Sequence, residues 1–107
     1  MKSLGVYLSP TACKQFESLC QYLTEEWSNK VKQDFVARLD KKFSQISSLP
    51  ESCPESQEIS GLRKAVVDKR TSFFYRISVN SIEVLTIFDN RQSQQTIKKT
   101  IKTGANK

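Results

Sequence analysis

A chain of 107 residues, 37% hydrophobic and with a net charge of +6, is long enough for one domain with one modest core and too short for two. It holds no run of about eighteen apolar residues to span a bilayer, and its first ten residues are too short an apolar stretch for a secretory signal, so the expectation is a cytoplasmic protein without membrane contact. Histidine is absent and Cys13, Cys20 and Cys53 have no metal-ligand spacing, so no metal, no cofactor and no disulfide framework is expected.

Residues 3 to 8 alternate, with Leu4, Val6 and Leu8 against Ser3, Gly5 and Tyr7, which predicts a short first strand. Ser9-Pro10 then opens a helix, the hydroxyl capping and the proline at its first position. Cys13, Phe16, Leu19, Cys20, Leu23 and Trp27 recur at three- and four-residue steps and form one apolar stripe, so the helix runs about 18 residues with both cysteines as small core hydrophobes. After Ser28-Asn29 a second stripe follows: Val31, Phe35, Leu39, Phe43, Ile46 and Leu49. Pro50 ends it, because proline disfavours helical geometry in the residue before it. So short a link predicts an antiparallel helix hairpin.

Residues 50 to 61 read as a polar, acidic loop holding Cys53. Three strands follow, over about 62 to 69, 72 to 79 and 82 to 89, joined by links too short for anything but an antiparallel meander. Neither link has glycine, so the hairpins rest on strand pattern. Phe73, Tyr75 and Ile77 fall on one face and Phe74 and Arg76 on the other. In the last strand Ile82, Val84 and Phe88 oppose Leu85 and Ile87. Two helices cover one face of such a sheet; the other shows apolar residues beside arginines, as an interface does, unless it closes on itself. The tail from residue 93 to 107 is basic and forms one loose helix or stays disordered. The fold class is therefore α+β: a short first strand, an antiparallel two-helix hairpin, then a three-stranded antiparallel meander with the helices packed on one face.

Charge is sorted along this order. Residues 1 to 61 hold seven Lys/Arg against eight Asp/Glu, while residues 62 to 107 hold ten against three. Arg63, Lys64, Lys69, Arg70, Arg76 and Arg91 all fall on the meander, which points to a negatively charged partner, nucleic acid or an acidic protein.

Leu8-Ser9-Pro10, Trp27, then Phe35, Leu39 and Phe43, Pro50, Gly61-Leu62-Arg63, Phe74-Tyr75-Arg76-Ile77, Glu83-Val84-Leu85 and Phe88-Asp89-Asn90-Arg91-Gln92 occur in this order at this spacing. Together they resemble the RelE/ParE family of bacterial toxins from type II toxin–antitoxin modules, of the plasmid-stabilisation type, across about residues 4 to 92, which sets residues 1 to 92 as one toxin domain. The resemblance implies a growth inhibitor silenced by a cognate antitoxin that folds as it binds. It implies either of two targets: members similar to ParE poison DNA gyrase, and members similar to RelE enter the ribosome and cut mRNA. Fold alone does not choose between them.

Metal-free RNA cleavage needs a base for the 2′-hydroxyl, an acid for the leaving oxygen and cations for the phosphorane charge. Arg63 and Arg91 match the positions at which nuclease members of the family clamp the scissile phosphate, with Lys64 and Lys69 beside them in sequence. The acid and base are not evident: there is no histidine, and the segment after Arg91 reads Gln92-Ser93-Gln94-Gln95-Thr96 where nuclease members place a tyrosine or histidine. Lys64, beside Arg63, is the best substitute base. Tyr75 could serve as acid, but its alternation puts it in the core. Asp68 and Asp89 read as strand-end acids. If the chain is a ribonuclease, Arg63, Lys64 and Arg91 carry the chemistry; the residues instead favour a toxin that inhibits by binding. A third reading, a small basic nucleic-acid-binding module, lacks the glycine-aromatic strand motif, although Phe73, Phe74 and Tyr75 could stack bases.

Overall fold

The computed structural model describes residues 3–57 and 59–89; Arg91 and the tail from 93 to 107 lie outside them. Strand β1 (Gly5–Leu8) leads into helix α1 (Pro10–Glu26) and helix α2 (Asn29–Ser48), followed by β2 (Arg63–Val66), β3 (Thr71–Ile77) and β4 (Ser81–Asp89). The sheet order is β1-β4-β3-β2. The last three strands form the expected antiparallel meander, while β1 runs parallel to β4 with Gly5 opposite Ser81, so the sheet is mixed.

Local signals set most boundaries. Ser9 Oγ accepts the Ala12 amide at 3.0 Å, and Ser28 Oγ accepts the Val31 amide at 3.1 Å, each capping a helix start. Leu49 closes α2 through its amide to the Gln45 carbonyl, and Pro50 follows. The β2–β3 link turns without glycine because Asp68 Oδ1 accepts the amides of Arg70 and Thr71, both at 2.8 Å, an Asx turn that stands in for a backbone bond. Gly61, with φ of 84°, supplies the left-handed residue that turns the loop into β2.

The main core lies between the helices and one sheet face, built on Phe35, Leu39, Ile46, Phe73, Tyr75 and Val84. Phe43 meets Phe73 edge to face, with ring centroids 5.2 Å apart. A smaller cluster of Leu62, Phe74 and Phe88, flanked by Ile59 and Leu85, occupies the opposite face. There Phe74 and Phe88 stack at 4.9 Å. The outer face thus partly closes on itself, with the loop before β2 contributing Ile59 and Leu62.

Two expectations are corrected. Cys13 is exposed and Cys20 half-buried, because Ala12, not Cys13, sits at the centre of the α1 stripe and a neighbour on a helix is turned by 100°. Cys53 lies in the loop, as expected, and is the buried cysteine that joins the core. In β4 it is Ile82, Val84 and Ile87 that meet the main core, whereas Leu85 and Phe88 meet the outer cluster. The register shifts opposite Phe74 and Tyr75, which pair with Thr86 and Val84, so Leu85 is an inserted bulge residue that inverts the facing of everything after it.

The start of α1 secures that bulge. Ser9 donates its amide to the Val84 carbonyl at 2.9 Å and its hydroxyl to the Leu85 carbonyl at 2.8 Å. Gln15 Oε1 accepts the Ile87 amide at 2.7 Å and the Thr86 hydroxyl at 3.0 Å. Backbone groups that β1 is too short to pair are satisfied by the helix beside it.

Candidate functional site

The described basic residues do not form one patch. Arg63 pairs across from Tyr75 and so faces the helix side, whereas Lys64 and Arg76, across from Phe74 and Glu83, face the other. Arg63 is only 19% exposed at its side chain. Its Nη1 donates to the Cys53 carbonyl at 2.6 Å, and Nη2 lies 3.9 Å from a Glu55 carboxylate oxygen. Arg76 is paired with Glu83 at 2.7 Å. Lys64 Nζ stands 5.7 Å from the centroid of the Phe88 ring, a cation–π contact on the outer cluster. Lys69 and Arg70 lie exposed on the β2–β3 turn, and Arg70 borders a groove described below.

Tyr75 occupies the core position that alternation predicts and has no exposed surface. Its hydroxyl donates to the Pro50 carbonyl at 2.7 Å. Burial, then the neighbouring Cys53, push its ionisation well above the usual phenol range, with Arg63 opposing. Such a phenol is held neutral and already committed as a donor. No group of three or more His, Cys, Asp or Glu side chains that could hold a metal occurs among the described residues, and none of their helices is long and apolar enough to cross a membrane.

One concave surface was not foreseen. A groove of about 1220 Å³ runs between the helix hairpin and the β2–β3 end of the sheet. Phe35 and Leu23 form part of its apolar lining, while Tyr22, Trp27 and Val31 are 50%, 58% and 38% exposed beside it. The sequence assigned Trp27 and Val31 to core stripes. They lie where the two stripes diverge at the hairpin tip, beyond the reach of the sheet. Lys14, Arg38 and Arg70 border the same groove. Asp68 and Asp89 line it too, so the groove offers open aromatic and aliphatic surface with charges of both signs on its margin, which suits an apolar strip of another polypeptide. The missed signal was the combination of long apolar stripes at the hairpin tip with basic residues on their margins.

A family profile described as the ParE toxin of the type II toxin–antitoxin system parDE matches residues 6–94. No curated protein sequence matches significantly. Among solved structures, the chain is similar to one from a chromosomal ParDE toxin–antitoxin system of P. aeruginosa, with a TM-score of 0.70 and 11% identity over 81% of this chain and 96% of that one. It is also similar to a chain of the RelBE2 toxin–antitoxin complex of Mycobacterium tuberculosis, with a TM-score of 0.56 and 17% identity over 86% and 97%. A conserved hypothetical protein of Helicobacter pylori gives 0.55 and 15% over 83% and 97%. These likenesses establish a shared fold. With a strand, helix hairpin and meander in the expected order, and a family profile spanning residues 6–94, the chain belongs to the ParE toxin family of type II toxin–antitoxin systems.

Proposed function

We propose that this chain inhibits growth by binding an essential target, DNA gyrase being the family precedent, and that a cognate antitoxin silences it by laying a segment into the groove between the helix hairpin and the sheet. One observation carries the preference for binding over RNA cleavage: two of the groups a nuclease would draw on, the Tyr75 hydroxyl and the Arg63 guanidinium, are committed to the fold. The Tyr75 hydroxyl is buried and donates to the Pro50 carbonyl, and the Arg63 guanidinium holds the Cys53 carbonyl. A general acid must reach solvent-borne substrate, and a phosphate clamp needs free donors. The groove supports the antitoxin reading because its open aromatic and aliphatic surface matches an amphipathic segment that folds on binding.

The test pairs two assays on purified protein. In a gyrase supercoiling assay the expected result is trapped, cleaved plasmid. In a translating extract, primer extension along the mRNA should show no new stops. Codon-phased cuts in the extract would overturn the reading in favour of a ribosome-dependent endonuclease.

A further inference from the structure

We propose that Arg63 is a positioning residue, a latch that holds residues 53–56 as an added edge on β2, and that it is not an anion contact. Strand β2 ends the sheet order, so one side of it would present unpaired backbone to solvent. Residues 54–56 occupy that side. The Lys64 amide donates to the Pro54 carbonyl at 3.2 Å, the Ser56 amide donates to the Leu62 carbonyl at 2.7 Å, and Glu55 bridges antiparallel to Arg63.

This segment has little packing to keep it there. Pro54 and Glu55 are exposed, and Cys53 is its one fully buried residue. Two side chains from the sheet tie it down. Arg63 Nη1 holds the Cys53 carbonyl from one side, and the Tyr75 hydroxyl holds the Pro50 carbonyl three residues upstream. Arg63 and Tyr75 are direct cross-strand partners, so both ties spring from one point of the sheet. A charged donor on a partly buried carbonyl is among the stronger protein hydrogen bonds. With its donors directed at Cys53 and Glu55, Arg63 is not poised for a phosphate. Lys64, on the opposite face, is the β2 cation left to meet one.

The buried Cys53 thiol reports the latch without reference to any target, so the outcome is independent of the gyrase reading. In a Cys13→Ser, Cys20→Ala background, Cys53 is the sole thiol, and its reaction with a disulfide reagent under native conditions reads how often the segment opens. Arg63→Ala should accelerate labelling about 10- to 100-fold. Lys64→Ala, whose side chain lies on the other face, should leave it within about twofold. Arg63→Met keeps the aliphatic stem but has no donor and should accelerate labelling by a similar factor, which keeps the test decisive if the alanine variant fails to fold. Labelling of folded Arg63→Ala or folded Arg63→Met at the parent rate would overturn the proposal.

Discussion

Trp27 is the chain's only tryptophan and sits at the groove, so its fluorescence reports directly on occupancy. It is 58% exposed; of the roughly 250 Å² a tryptophan can bury, about 145 Å² remains to be covered. Covering half to all of that surface at about 25 cal/mol per Å² is worth roughly 2–3.5 kcal/mol, or about 30- to 400-fold in Kd for Trp27→Ala. Addition of a tryptophan-free antitoxin should shift the emission to shorter wavelength and cut iodide quenching. The substitution also removes the buried remainder, at most about 2.5 kcal/mol of stability, so affinity should be measured by calorimetry at a temperature where urea unfolding shows both proteins folded. Complex formation with unchanged emission and quenching, and Trp27→Ala binding within about twofold of the parent, would refute the placement of the antitoxin in this groove.

Reversing Arg38 and Arg70 to glutamate should slow antitoxin association about tenfold at low salt and flatten its salt dependence in stopped-flow measurements, while leaving thermal stability nearly unchanged. Gln15→Leu removes the acceptor of the Ile87 amide and should cost about 1–3 kcal/mol, read as a fall in Tm of roughly 4–8 °C per kcal/mol. For Tyr75, folding raises the pKa, so its contribution to stability is complete below the unfolded value of about 10 and is lost as pH rises beyond it. The stability of the parent should therefore fall more steeply above about pH 10 than that of Tyr75→Phe in parallel urea titrations, and equal slopes would contradict the neutral buried phenol.

Much of this architecture is legible in the residues because its signals are local. Ser9-Pro10, Ser28 and Pro50 bound the helices through capping and proline sterics, which act within a few residues. Alternation along β3 places Phe73 and Tyr75 correctly because nothing interrupts its pleat. In β4 the same rule fails at Leu85, since a bulge leaves no residue-type signature and is held by Ser9 and Gln15, about seventy positions away in sequence. The cations were legible as charges but not as a site. Their facing depends on register, and the bond from Arg63 to the Cys53 backbone carbonyl is one that no sequence pattern announces. The groove escaped because it is defined by where two helices stop covering each other.

The parallel pairing of β1 with β4 bears on the order in which the fold assembles during synthesis. The helix hairpin and the β2–β4 meander are assembled from neighbours in sequence and can form as soon as their segments leave the ribosome. Strand β1 cannot dock until Ser81–Val84 exists, and the two bonds from Ser9 into the β4 bulge wait for Leu85. Closing a loop of that length is entropically costly and late. A nascent chain that stops short of β4 therefore lacks its first strand's place in the sheet.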